Sequence, residues 1–363
     1  MERWRLLDLG FSEPYIAQTF YEAVAEAVHR DLSPNTLILL QPGSPYACIG
    51  YHQDLENEID LEFCRDAGLP IIRRSQGGGA TYLDRDQVFY QIVSKGSGVV
   101  PRDVEEMFER LLSVTVETYR RLGVPAEFKP LNDVVVGGRK ISGNGAGMHE
   151  SASILVGNVI LDLNYDLMAR VLKVPDEKFR DKIAKSMREW VTTLRRELEE
   201  PPSVNKVKET YAVAFQEVLG VELMKAEPTN DEWGIFNEET KPRHTSREWL
   251  YMEAARAQER EGRAVKIAHD VKFVEADHKA RKMIRVRAEV MGDEILDIQI
   301  RGDFFAIPKE SIATLEEMLK GKKLEVRTLR ETIDGFYKMM ETQTPGIGAR
   351  DFVEALMKMK EYL

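Results

Sequence analysis

A mixed α/β body followed by a small α+β module is the fold class this sequence predicts, on three observations. Helical and strand-like stretches alternate over residues 1–165, and helical periodicity dominates from there to about residue 224. Beyond a charged connector, the pattern changes to alternating strands followed by two or three short amphipathic helices. A chain of 363 residues has room for one large and one small domain. The boundaries read as 1–245, with the connector running to about 264, and 265–363.

The elements follow in order. "EPYIAQTFYEAVAEAVHRDL" (13–32) has helical spacing, with Ile16, Phe20, Ala23, Val24 and Val28 able to share a face. "TLILLQP" (36–42) and "YACIG" (46–50) read as strands, as do "GLPIIRRS" (68–75) and "VFYQIV" (88–93). A second helix, "DVEEMFERLLSVTVETYRRLG" (103–123), ends on arginines and Gly123. Strands return at "DVVVGGRKIS" (133–142) and "SASILVGNVILDLN" (151–164). The run "DEKFRDKIAKSMREWVTTLRRELEE" (176–200) reads as a cation-rich helix stopped by Pro201 and Pro202. The connector holds "PTNDEWG" (228–234) and the helix-like "SREWLYMEAARAQERE" (246–261). In the module, "KMIRVRAEVMGDEILDIQIRGDFF" (282–305) alternates as a hairpin turning near Gly292 and Asp293.

Composition removes several classes of function. A net charge of -10 argues against general nucleic-acid binding. The start has no apolar h-region and no apolar run spans a bilayer, so a cytoplasmic protein with no membrane partner is expected. Two cysteines, Cys48 and Cys64, make neither a disulfide framework nor a zinc ribbon, and six histidines show no metal spacing.

Two stretches carry chemistry. In "RRSQGGGATYLD" (73–84), three glycines follow two arginines between strands. Exposed N–H groups there can form an anion-binding nest beside forked guanidinium donors, although a glycine-rich hairpin with solvated arginines fits the same residues. It is not a P-loop, since no Lys-Ser/Thr ends it. "SGNGAGM" (142–148) puts Met148 where the third glycine of a dinucleotide fingerprint would fall. In "NDVVVGGRKISG" (132–143), Gly137-Gly138 signals a two-residue hairpin turn. Ideal pairing sets Val136 opposite Arg139, Val135 opposite Lys140 and Asp133 opposite Ser142. Asp133, Val135, Lys140 and Ser142 would then share one face, with Arg139 on the other.

Together these stretches resemble the lipoate-protein ligase family of the biotin/lipoyl attachment superfamily. The resemblance extends to "WRLLDLG" (4–10), "CIGYHQDLENEID" (48–60), "LVGNVILDLNYDLMARVLKVP" (155–175) and "KSMREWVTTL" (185–194), so it covers about the first 200 residues in order. From about Val265 the chain is similar to the small accessory domain of these ligases. The resemblance implies a biotin/lipoate ligase-like catalytic domain of mixed sheets flanked by helices, with a small α+β C-terminal domain. It implies that lipoate or octanoate attacks the α-phosphorus of ATP, helped by Mg2+, and that the acyl group passes from the acyl-AMP to a carrier lysine. The carrier would be a glycine-cleavage H protein, a 2-oxoacid dehydrogenase acyltransferase subunit or another lipoyl-bearing protein.

Carried over by motif, Lys140 is the catalytic residue and bridges the acyl carboxylate and α-phosphate. Arg74, Gly79, Ala80, Thr81 and Tyr82 bind nucleotide, with Asn132 and Asp133 near it and Asp133 also near its magnesium. Arg73, Gly77, Gly78 and Gly143 line the lipoate site with Lys140. Residues 178–196 are the cationic stretch best placed to dock an acidic carrier. Departures from the family pattern are Leu83 for histidine, Gln76 for serine or threonine, "GNGAG" after the lysine, and a first helix without Asn-x-x-x-Asp-Glu. They bear on acyl and acceptor specificity. Two other readings are an ATP-independent octanoyl or lipoyl transferase, which would need a cysteine thioester, and a non-catalytic lipoyl- or nucleotide-binding homologue.

Overall fold

The computed structural model describes residues 1–173, 180–252, 265–266 and 271–363. The chain forms two compact units. The first comprises Met1–Ile49, Leu55–Arg74 and Ala80–Leu250; the second comprises Gly50–Asp54, Ser75–Gly79 and Tyr251–Leu363.

In the first unit eight strands form one sheet. They are β1 (Glu2–Ser12), β2 (Thr36–Pro42), β6 (Gln87–Ser94), β7 (Glu127–Lys129), β8 (Asp133–Val136), β9 (Arg139–His149), β10 (Ala152–Ile160) and β11 (Val221–Ala226). Their order is β11-β1-β2-β6-β10-β9-β8-β7. A three-stranded sheet, ordered β4-β3-β5, holds β3 (Tyr46–Ile49), β4 (Ile71–Arg73) and β5 (Thr81–Leu83). It brackets the glycine run, as the residue pattern predicts. Mixed sheets flanked by helices are therefore the architecture, in agreement with the expected class.

The helix Pro14–His29 lies at the centre of this unit. Of the expected apolar stripe Phe20, Ala23, Val24 and Val28 are buried and Ile16 is partly so, but Gln18, Thr19 and Glu22 are buried too. Polar residues survive there because each finds a partner, as when Tyr46 Oη donates to Gln18 Oε1 at 3.0 Å. The helix Val104–Arg121 follows its reading, capped by Asp103, with Gly123 at φ 91° just beyond. Four strands of this unit, β1, β5, β7 and β11, escaped the sequence pattern. β1 pairs in parallel with both β2 and β11, and β11 lies where the helical reading still ran. Gly220 stops the preceding helix, Val204–Leu219, in the left-handed region (φ 70°) and frees Val221 to enter the sheet. Across this edge, Arg5 Nη1 donates to the buried carboxylate of Glu232 at 3.1 Å.

The cation-rich run also differs from its reading. Its described part is a helix at Arg180–Trp190, an extended step through Val191 and Thr192, and a short helix Leu194–Glu197 capped by Thr193. Residues 174–179, including Lys178, and the later part of the connector lie outside the described residues.

The second unit contains a four-stranded sheet of β12 (Val265–Lys266), β13 (Val271–Lys279), β14 (Met283–Met291) and β15 (Glu294–Gly302), in that order. β14 and β15 form the hairpin predicted at Gly292-Asp293. Three helices, Ser311–Leu319, Val326–Met340 and Ala349–Lys358, cover one face. They enclose a core of their own that includes Ile284, Ile300, Leu315, Phe336 and Phe352.

Candidate active site

Lys140 sits on β9, where Gly137 (φ 53°) and Gly138 (φ 78°) make the expected tight turn. Val135 does face Lys140 and Val136 faces Arg139, but a bulge between Val134 and Val135 then shifts the register. Asp133 pairs with Gly143 rather than with Ser142, which pairs with Val134. The shift lets both Ile141 and Ser142 be buried. Ser142 leaves the lysine's face, whereas Asp133 stays on it. Lys140 Nζ forms an ion pair with Asp133 Oδ1 at 2.6 Å, both side chains about one-third exposed. The lysine side chain passes over Gly143, where a Cβ would lie in ordinary contact, 3.5 Å from Lys140 Cε. Arg139 turns elsewhere and pairs with Glu197 at 2.8 Å.

The strand under Lys140 is fastened from both sides. Its carbonyl accepts from Thr192 N at 2.8 Å, so the step after helix Arg180–Trp190 runs beside it. Beneath lies a buried polar floor. Tyr90 Oη meets Ser142 Oγ at 3.1 Å and also bonds Asn144. Asn144 Nδ2 donates to the Asn132 carbonyl at 3.0 Å, and Asn132 Nδ2 donates to the Asn144 carbonyl at 2.7 Å. Burial pushes the Tyr90 phenol up to about 12, so it serves as a neutral hydroxyl. A side chain at Gly157 would collide with both Asn144 and Tyr90. Asn132 is therefore part of the floor, and what it supports is the position of Asp133. Sequence spacing did not reveal Tyr90, Asn144 or Gly157, because each matters only through strands that meet in the sheet.

Arg73 ends β4 and Arg74 follows it, and the two have separate fates. Arg73, expected beside lipoate, is buried, and its Nε donates to the Leu250 carbonyl at 2.9 Å. Arg74 is part-exposed; its N–H donates to the Ile49 carbonyl at 3.0 Å and its Nη1 lies 3.5 Å from Cys48 Sγ. Ala80 and Thr81 are partly exposed, while Tyr82 is buried, its phenol raised by burial and by Asp84.

Gly77, Gly78 and Gly79 belong to the second unit. Gly78 has φ +94°, the left-handed backbone an anion nest uses. Gly77 is required for packing, because a Cβ there would run into the Phe304 carbonyl and lie 2.9 Å from Phe305 Cα. The neighbouring segment behaves alike. Tyr51 N donates to the Gln76 carbonyl at 2.9 Å, the His52 ring stacks on Phe304 at 4.8 Å, and Asp54 pairs with Arg287 at 3.0 Å.

Both cysteines are buried and free. Burial raises the Cys48 thiol, against the pull of Arg74, and raises Cys64 to about 11. Neither has the thiolate character of a nucleophile. Among the described residues, no group of three or more His, Cys, Asp and Glu could hold a metal ion, and no helix is long and apolar enough to cross a membrane.

Comparisons with known proteins agree on one family. Residues 13–216 match the lipoyl protein ligase A/B catalytic domain, and residues 283–356 match the bacterial lipoate protein ligase C-terminus. Lipoate-protein ligase A subunit 1 of Thermoplasma acidophilum is 31% identical over 55% of this chain and 79% of its own length. Lipoate-protein ligase LplJ of Bacillus subtilis is 26% identical over 86% of this chain and 89% of itself. Octanoyltransferase LipM of Moorella thermoacetica is 28% identical over 69% of this chain and 98% of itself. A solved bi-partite lipoate protein ligase from Thermoplasma acidophilum, described with its E2 lipoyl domain, superposes with a TM-score of 0.62 at 29% identity. That match covers 71% of this chain and 99% of the other.

Proposed function

The chain belongs to the lipoyl protein ligase A/B catalytic family and carries the ligase C-terminal domain, and from that membership we propose that it is an ATP-dependent lipoate-protein ligase. The observation that carries the choice of ligase over transferase is the module at residues 283–356. The octanoyltransferase matches almost all of itself yet leaves about a third of this chain unmatched, whereas the ligase LplJ matches 86% of it. The buried thiols support the same choice.

In this reading, the carboxylate of lipoate or octanoate attacks the α-phosphorus of ATP and pyrophosphate leaves. The Lys140 ammonium exchanges Asp133 for the acyl carboxylate and the α-phosphate, and neutralises the charge that builds between them. Arg74 holds the phosphates, with Gly79, Ala80, Thr81 and Tyr82 as the nucleotide loop. Asp133, a single carboxylate, suits a magnesium ion brought in on the triphosphate, which would shield its charge. A carrier lysine then attacks the acyl carbonyl and AMP departs. The carrier class is a lipoyl-bearing domain, as in the Thermoplasma system.

Lipoate-dependent exchange of pyrophosphate into ATP tests the reading. A ligase exchanges, whereas a transferase or a binding homologue does not. Alkylation gives a second check. With both thiols raised by burial, iodoacetamide at pH 7.5 should leave the folded enzyme unmodified and its ligation rate unchanged. Rapid loss of activity with one label on Cys48 would favour the transferase.

Exposed Lys182 and Lys185 lie on the helix that leads to Thr192 beside Lys140. Charge reversal at both, K182E/K185E, should raise the KM for the carrier severalfold at low salt and leave pyrophosphate exchange alone. Unchanged carrier kinetics would remove this helix from the docking surface.

A further inference from the structure

The strand residue just before Arg74 is held in an unusual way. The Arg73 carbonyl accepts from Trp249 Nε1 at 2.9 Å and from His244 Nδ1 at 2.9 Å. On its other side, His244 Nε2 meets Glu22 Oε2 at 3.0 Å, and Arg243 Nη2 reaches the same oxygen at 2.5 Å. The His244 ring is wholly buried and lies edge-on to Trp249, with centroids 5.0 Å apart. The far end of the same peptide is fixed as well, because Arg74 N–H donates to Ile49.

The chemistry of this cluster is specific. A carbonyl and a carboxylate both accept and cannot donate. Nδ1 of the ring therefore donates to the carbonyl, while Nε2 faces the carboxylate. The groups that face it are Glu22 from the first helix, Arg73 from β4, and Arg243 and Trp249 from its own segment. Arg243 and His244 share Glu22, which is why a carboxylate can stay buried there.

We infer that His244 is a positioning residue, a buried ring that ties the Arg73–Arg74 peptide to Glu22 and so aims the Arg74 side chain at the nucleotide phosphates. The inference rests on the proposed role of Arg74. No part of it depends on His244 touching substrate. It adds to the ligase reading a residue that the sequence placed in an uninformative connector, 171 positions from its partner.

The test separates the two ring nitrogens. An asparagine amide nitrogen falls close to the position of Nδ1, and a glutamine amide nitrogen close to that of Nε2. H244N therefore keeps the bond to the Arg73 carbonyl, whereas H244Q keeps the one to Glu22. ATP binding by titration calorimetry and the KM for ATP and lipoate in pyrophosphate exchange are measured for wild type, H244A, H244N and H244Q. H244A and H244Q should weaken ATP about tenfold, the effect of one lost buried hydrogen bond. The KM for lipoate should stay constant, and H244N should recover most of the ATP affinity. Equal defects in the asparagine and glutamine variants, or ATP binding unchanged in H244A, would overturn the inference. Calorimetry needs no turnover. If wild type binds ATP without exchanging pyrophosphate, the ligase reading fails while His244 is still tested. If wild type binds no ATP, both readings fall.

Discussion

A Lys140→Ala enzyme should fold normally and lose lipoate activation by about 10³-fold, because the cation proposed to bridge two reacting anions would be gone. Transfer from supplied lipoyl-adenylate should fall as well, since the same ammonium would hold the adenylate. The side chain is partly exposed and its structural partner is Asp133 alone among the described contacts, so stability should change little. Arg139→Ala provides the contrast. It removes a neighbouring cation that pairs with Glu197, and should activate lipoate at close to the normal rate. Pyrophosphate exchange by a folded Lys140→Ala protein near the wild-type rate would sink the assignment.

A chain ending near Arg260 should retain a folded catalytic unit but activate lipoate about 10²-fold more slowly, the cost of a loop displaced by an ångström or so. The two units have separate apolar cores, which is why the larger should fold alone. Its loss would come from the glycine run. Gly77 packs against the backbone of Phe304 and Phe305, and the Tyr51–Asp54 segment against Phe304 and Arg287, all of which the truncation removes. Transfer from preformed lipoyl-adenylate should persist, since Lys140, Asp133 and their polar floor lie wholly in the larger unit. Activation by the shortened chain at the full rate would make the module a passenger.

These expectations show where the sequence was legible. Local chemistry was readable. Gly137-Gly138 announced the turn, Arg73 to Asp84 announced a loop between strands, and alternation announced the module's hairpin. What escaped was set by residues far apart in the chain. The bulge on β9 exists because Ile141 and Ser142 must both be buried, a demand made by other strands and absent from the hairpin's own pattern. Arg73 looked like a ligand-facing cation because it sits beside three glycines. Its fate was decided by Leu250, and that of its carbonyl by His244 and Trp249. Gly77 read as an opening for a ligand, yet the group that approaches it most closely is the protein's own backbone.

That last contact sets a timetable for making the protein. Phe304 follows Gly77 by about 230 residues, so a ribosome adding 5–20 residues per second leaves the glycine loop without its partner for roughly 10–50 s. β1 waits too, since its neighbour β11 is not complete until Ala226 has emerged. A nascent chain arrested before residue 300 should therefore be cut by protease within residues 75–79 and resist once released at full length. The loop proposed to bind nucleotide is made early and is among the last parts to settle, so a chain terminated before Phe304 would activate its acid poorly even with Lys140 in place.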